Sequence, residues 1–477
     1  MRQCLRRVLA SPQDKPLNSP ASRSQFPETA HAQDDSPQRL QRLSAIAERL
    51  LERARASGAS QAEVTCNEDT GLAVNVRMGE VETVEATQDR GIAVTVYFGQ
   101  RKGSASTADL REESLEATVA QACAIARHTE ADPAAGLADA ALMATTQREF
   151  DGWHPWDIDA QRAIDLALAC EQAGRDVDPR IGNSDGASVN RNASVSVYAN
   201  SHGFLGGERG TSHSIGCALI AGEGEAMQRD GWYSLAMAPG DLAASEAIGR
   251  IAAQRTLERL NPRHLPTCEV PVLFHAEMAR SLVGSFVGAV SGGALYRKAS
   301  FLLDSAGTRV FPDWFAIDEL PFLPRGWRSA AFDAEGVATR ESPLVAGGIV
   351  QRYVLGSYSA RKLGLQSTAN AGGVHNLQVR ANAGGLDALV AGMQRGLLVT
   401  ELMGQGVNQI TGDYSRGAAG FWVEGGKLAY PVDGITIAGN LKAMFAAIEA
   451  VGDDIDPRSH IRTGAILVGR MTVAGAG

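Results

Sequence analysis

Gly71-Leu72-Ala73-Val74-Asn75-Val76-Arg77-Met78-Gly79-Glu80-Val81-Glu82-Thr83-Val84 decides how the N-terminal half of the chain is read. Leu72, Val74 and Val76 alternate with small or polar residues, Met78-Gly79 supplies a turn, and Val81 and Val84 continue beyond it. A period of two marks a strand with one buried face, because successive side chains point to opposite sides of a sheet. Ile92, Val94 and Val96 repeat the pattern. Glu63 to Phe98 therefore reads as an antiparallel meander with turns at Met78-Gly79 and at Asp89-Arg90-Gly91.

Upstream, Leu40, Leu43, Ile46, Leu50 and Ala54 fall at spacings of three and four. That places them on one helix face, with the helix ending at or just before Ser57-Gly58. Residues 1–36 mix Pro, Ser, Gln and Asp with almost no apolar periodicity and read as a disordered tail. Downstream, helices are expected from Thr107 to near Arg127 and from Asp159 to near Asp176, covering one face of the sheet. Short strands follow at Ala193 to Tyr198, His213 to Ile220 and Met227 to Met237, then a helix from Leu242 to Leu260. Pro262 to Thr267 is rich in turn formers and precedes an apolar strand, Val270 to Phe274, so the domains are drawn at 37–261 and 268–477. The second is glycine-rich, with Gly-Gly pairs starting at Gly292, Gly347, Gly372, Gly384 and Gly425, which suits a β-dominated domain full of tight turns. The fold class is α+β.

The 45 basic and 54 acidic residues leave a net charge of −9, and the pI is near 5.6. That balance argues against a protein whose main partner is a nucleic-acid backbone. Six cysteines are scattered without a C-x-x-C pair, as in a protein that keeps reduced thiols, so the cytoplasm is the expected compartment. The apolar run Ser281 to Tyr296 is too short and too rich in Gly and Ser to span a membrane.

Few short motifs point to chemistry. Gly182-Asn183-Ser184-Asp185-Gly186 has the letters of a serine nucleophile elbow, but no amphipathic helix follows and it reads as a polar turn. Ser359-Ala360-Arg361-Lys362 matches S-x-x-K without the companion elements of a Ser/Lys mechanism. Gly404-Gln405-Gly406 breaks off where a nucleotide loop needs its third glycine. His264, Cys268, His275 and Glu277 lie close in sequence, but Pro262, Pro266 and the strand at Val270 would aim them apart. His375 sits in a glycine loop as a cleft candidate, and Asp413 and Arg416 can pair across a turn.

Longer strings carry more. Val290-Ser291-Gly292-Gly293-Ala294-Leu295-Tyr296-Arg297-Lys298-Ala299-Ser300-Phe301-Leu302, Ser357-Tyr358-Ser359-Ala360-Arg361-Lys362-Leu363-Gly364-Leu365 and Thr400-Glu401-Leu402-Met403-Gly404-Gln405-Gly406 resemble the TldD/PmbA peptidase family, on its PmbA (TldE) branch. So do Ile410-Thr411-Gly412-Asp413-Tyr414-Ser415-Arg416-Gly417 and Ile437-Ala438-Gly439-Asn440-Leu441. The resemblance runs from about residue 38 to the end. It implies a family once called modulators of DNA gyrase, whose zinc-bearing member carries H-E-x-x-x-H with a late Cys as third ligand and the motif Glu as general base. Placing that motif here puts Ala276 at the first His, Glu277 at the Glu and Ser281 at the second His, and no Cys follows Cys268.

The resemblance therefore implies a supporting subunit with no metal of its own, Glu277 being vestigial and zinc sitting in a TldD-like partner. Substrates would be unfolded or extended cytoplasmic peptides, such as microcin-type precursors and antitoxins. Tyr296, Arg297, Lys298, Tyr358, Arg361, His375, Asp413, Tyr414 and Arg416 are the candidates for the peptide channel or the interface. Two alternatives stand beside this reading. One is a homodimeric metallopeptidase using His264, Cys268, His275 or His375 as unconventional ligands; the other is a peptide-binding or gyrase-modulating protein without catalysis.

Overall fold

The computed structural model describes residues 34–475. The expected tail lies outside them as far as residue 33, and its last residue, Ser36, already opens the first helix.

The N-terminal half is one six-stranded antiparallel sheet with four helices on a single face. In chain order it comprises α1 (Ser36–Ala56), β1 (Gln61–Arg77), β2 (Glu80–Phe98), β3 (Arg101–Thr107), α2 (Glu112–His128), α3 (Ala160–Arg175), β4 (Asn183–Asn200), β5 (Leu205–Ala221), β6 (Gln228–Ala236) and α4 (Ser245–Glu258). The strand order is β3-β2-β1-β4-β5-β6. β1 and β4 are long enough to carry two separate apolar clusters on one face. Val64, Cys66, Val195 and Val197 pack with α1 and α2, whereas Leu72, Val74, Val76 and Val189 pack with α3 and α4.

The turn at Met78-Gly79 is present, with both residues at positive φ. The expected turn at Asp89-Arg90-Gly91 is corrected: β2 runs straight through it, pairing Asp89 with Asp69, Arg90 with Glu68 and Gly91 with Asn67. The glycine serves close approach rather than reversal, since a Cβ there would sit 2.5 Å from Asn67 Oδ1. Val81 and Val84 are exposed. Gly182 to Gly186 is likewise no turn. β4 begins at Asn183 with a register shift between Ser184 and Gly186, and the Ser184 hydroxyl is buried, accepting from Gly186 N–H at 2.8 Å.

The C-terminal half continues with β7 (Cys268–Phe274), α5 (Ala276–Ala289), α6 (Gly292–Tyr296), β8 (Ile317–Glu319), β9 (Ser342–Ala346), β10 (Ile349–Val350), α7 (Ser357–Leu363), β11 (Leu377–Val379) and α8 (Leu386–Gly392). It ends with β12 (Arg395–Met403), β13 (Asp413–Glu424), β14 (Lys427–Asn440), α9 (Leu441–Ala446), β15 (Ile448–Val451), β16 (Ile461–Arg462) and β17 (Ile466–Gly475). One sheet runs β14-β13-β12-β7-β17-β15, and a further pairing of β14 with β17 closes its first five strands on themselves. Closure removes the exposed edges that a sheet of long strands would present. The second sheet, β10-β9-β8-β11-β16, is built of short strands. Most Gly-Gly pairs do mark turns, Gly347, Gly348, Gly425 and Gly426 having positive φ. Gly292 is an exception: it opens α6, where a Cβ would collide with Ser359 of α7. Among the described residues no helix is long and apolar enough to cross a membrane.

Candidate functional site

β7 lies between β12 and β17 and delivers the chain into α5. His275 caps that helix, its Nδ1 accepting from Glu277 N–H at 3.3 Å. Glu277 thus sits in the first turn, where the helix dipole favours a carboxylate. It is only 8% exposed.

Both oxygens of this carboxylate face fixed cations. Arg458 Nη2 donates to Oε1 at 2.8 Å, and Arg255 Nη1 lies 3.2 Å from Oε2. Arg255 comes from α4 in the N-terminal half, and Arg458 from the segment between β15 and β16. Their guanidinium groups stack on Trp232, at 5.0 Å and 4.2 Å from the ring centroid, and Arg458 also covers Tyr233 at 4.5 Å. Asp456 pairs with Arg458 at 2.8 Å, and Asp230 with Arg255 at 3.2 Å. Burial works against the charge of Arg458, but Asp456 and Glu277 together hold its pKa above the usual value. Burial raises the Asp456 carboxyl, and the bonds from Arg458 outweigh it and hold it low. Burial also depresses the His275 imidazole below its ordinary range, against the pull of Glu277.

A zinc ion needs three or four donors around it, and a general base needs a water to receive its lone pair. Ala276 supplies no donor, and the Ser281 hydroxyl is spent on Met278 O at 2.7 Å. Glu277 is held by guanidinium groups where the family motif would have it act on water. Among the described residues no three His, Cys, Asp or Glu side chains are placed to hold an ion. The residues at the motif positions do not fit zinc.

The other ligand candidates have other partners. His264 is exposed, and Cys268 is paired in register with Val473 of β17. His375 is a buried loop residue whose Nδ1 lies 3.2 Å from Arg328 O and Nε2 3.1 Å from Ala369 O, so neither nitrogen aims a lone pair at open space. Its backbone N–H donates to Glu319 at 2.6 Å, within a network that also includes Arg352 and Asn370.

Several channel or interface candidates meet one another. Tyr296 and Tyr358 contact edge to face at 5.8 Å, and Arg297 donates to Tyr296 OH at 3.1 Å. Lys298 is exposed at positive φ just after α6. Tyr358 OH donates to Asp132 at 2.7 Å and Lys362 Nζ to the same carboxylate at 2.8 Å. Arg361 donates to the carbonyls of Ala134 and Gly136 at 3.0 Å each, and to Leu137 O. One face of α7 therefore fastens the C-terminal half to the 132–137 loop of the N-terminal half. Lys362 pairs with Asp132, and the Ser359 hydroxyl donates to Gly356 O, so the S-x-x-K letters do not form a nucleophile and base.

The expected turn pairing of Asp413 with Arg416 is corrected, because both lie in β13, and residues three apart in a strand point to opposite faces. Asp413 accepts from Thr411 Oγ1 at 2.7 Å instead, and that bond holds its carboxyl below the usual range. Tyr414 is 2% exposed, and burial pushes its phenol up to about 12 against the opposing pull of the Arg416 guanidinium.

Sequence reasoning found Glu277 but missed Arg255, Arg458, Asp456 and Trp232. The only local signal was the spacing Asp456-Pro457-Arg458, which permits an ion pair across one intervening residue.

Family models for PmbA/TldA metallopeptidases match along most of the chain: domain 1 over residues 62–126, the central domain over 153–260 and the C-terminal domain over 267–475. The chain is 48% identical to "Metalloprotease PmbA" of Escherichia coli O157:H7 over 421 residues, 88% of this chain and 94% of that protein. Haemophilus influenzae holds two relatives. One is a "Metalloprotease PmbA homolog", 47% identical over 89% of this chain and 94% of its own length; the other a "Metalloprotease TldD homolog", 25% identical over 45% and 47%. A solved protein of Bacteroides thetaiotaomicron, described as a candidate modulator of DNA gyrase, superposes with a TM-score of 0.86 at 26% identity, covering 91% of this chain and 98% of that one. The chain belongs to the PmbA/TldD metallopeptidase family.

Proposed function

We propose that this chain is the supporting subunit of a two-component metallopeptidase, in which a TldD-like partner holds the zinc and performs the cleavage. The observation that carries this reading is Glu277, clamped between Arg255 and Arg458 beside Ala276 and Ser281. A carboxylate so paired is poorly placed to take a proton from water, since Oε1 accepts a charge-assisted hydrogen bond from Arg458 and Oε2 is ion-paired with Arg255. The occurrence of a PmbA homolog and a TldD homolog in one organism supports a division of labour between two chains. The chain would shape the chamber and admit extended or unfolded cytoplasmic peptides, which bind sheet edges through main-chain hydrogen bonds with loose sequence preference.

The test mixes the purified chain with an H-E-x-x-x-H sister chain and follows cleavage of an unstructured peptide. Activity is expected from the mixture, little from this chain alone, inhibition by a chelator, and near-normal rates with Glu277→Gln. Cleavage by this chain alone, abolished by Glu277→Gln, would establish the self-sufficient enzyme instead. A chain that binds peptide but forms no complex with the sister would establish the purely binding role.

A further inference from the structure

The face of the long N-terminal sheet is covered by two pairs of helices, and the strip between them is polar. Glu68 and Thr70 of β1 lie in this strip, with Arg90 opposite Glu68, Gln88 and Ala193 opposite Thr70, and Arg191 opposite Leu72. Cross-strand partners share a face, so these side chains converge. Arg39 and Arg42 of α1 and its N-cap residue Asp35 wall the strip, and Trp153 and Pro155 close it from the connection between α2 and α3. A cavity of about 310 Å³ results.

Its charge is unusual for an acidic chain. Arg39, Arg42, Arg90 and Arg191 face only Glu68 and Asp35. Glu68 is shared three ways, with Arg39 at 3.3 Å, Arg42 at 2.5 Å and Arg90 at 3.1 Å. Asp35 is 71% exposed on its side chain and 3.9 Å from Arg39, so water screens much of its charge and it offsets that guanidinium only in part. The Arg191 guanidinium donates from Nη1 to Trp156 O at a long 3.5 Å, and its Nε–H is buried without a hydrogen-bond partner. An orphaned charged donor beside a cationic cavity calls for an acceptor.

We propose that this seam is a binding site for an oxyanion, a phosphate or carboxylate group borne on a small ligand. A guanidinium presents parallel N–H groups that match either group bidentately. The cavity exceeds the size of a bare anion, and Trp153 offers the rest of the ligand a flat apolar wall. The site stands on the helix-covered face of the N-terminal sheet and is independent of the peptidase reading.

Isothermal titration of the full chain with inorganic phosphate, and separately with succinate, tests the proposal, with chloride at matched ionic strength as the blank. Saturable binding of at least one probe is expected, and which probe binds tells a phosphoryl from a carboxylate ligand. Arg191→Gln and Arg42→Gln should each weaken it about tenfold, the value of one charge-assisted hydrogen bond. Arg395→Gln, at the exposed first residue of β12, should change nothing. Asp35→Asn removes a lining negative charge at a helix cap that makes no capping hydrogen bond, and should tighten binding. Absence of saturable binding by both probes overturns the proposal, as does undiminished affinity in Arg191→Gln. Should the arginine variants fail to fold, unchanged affinity in Asp35→Asn overturns it equally.

Discussion

Arg458 donates to Glu277 across 181 positions of sequence, at 2.8 Å in a site where both side chains are nearly withdrawn from water. Removing one partner of such a pair strands the other's charge. Arg458→Met is therefore expected to cost about 3 kcal/mol, at the low end for a broken buried pair because Arg255 still faces Glu277. Urea unfolding of the variant measures this; a loss under about 1 kcal/mol would class the pair with exposed salt bridges.

Restoring the motif should not restore the metal site. Ala276→His with Ser281→His supplies two imidazoles but no third ligand, and Arg255 and Arg458 remain beside Glu277. Zinc titration of the double variant is expected to show weak binding removed by mild chelation. Tight one-to-one binding would reveal a third donor already in place.

Asp132 joins the two halves through Tyr358 and Lys362, and the bond from Lys362, followed by those from Ala134 and Tyr358, holds its pKa at about 2 against an ordinary 3.8. A depressed carboxyl contributes stability that is full above its unfolded pKa and fades as pH falls through the folded one. Asp132→Asn should thus lower the melting temperature at neutral pH, with the gap to the parent chain narrowing from pH 3.8 towards 2. A gap independent of pH would mean that the carboxylate charge is not what fastens α7.

Gly249 tests packing between α3 and α4. A glycine inside a helix costs about 1 kcal/mol relative to alanine, so propensity alone predicts that Gly249→Ala stabilises. A Cβ there would instead strike the carbonyl oxygen of Cys170, while one on Gly174 would come within 2.7 Å of Gly249 O. The helices cross where neither has a side chain. Gly249→Ala is expected to destabilise by about 2 kcal/mol, overpacking outweighing propensity, as a thermal or denaturant midpoint would show.

The sequence made the first helix legible because Leu43, Ile46, Leu50 and Ala54 repeat at its own period, and all four are buried. Helices α3 and α4 lie close to their expected bounds, whereas α2 starts at Glu112 and not at Thr107, because Thr107 ends strand β3. Asp89-Arg90-Gly91 misled because turn-forming residue types were read without their neighbours. Arg90 pairs with Glu68 and Gly91 makes room for Asn67, so strand pairing overrode local preference.

The chain's own letters settled the family, since long uninterrupted strings resist chance, and they showed that Ala276 and Ser281 offer no imidazole. Periodicity and composition are local properties, and the α+β class follows from them. Only the folded structure decided what surrounds Glu277, because Arg255 and Arg458 reach it from opposite sides in sequence and the chain between them carries no mark of the meeting. The same holds for Asp132 and Tyr358, 226 positions apart, and for the four arginines of the sheet seam. Ion pairs and cavities depend on which distant backbone segments the fold lays side by side, and packing alone fixes that.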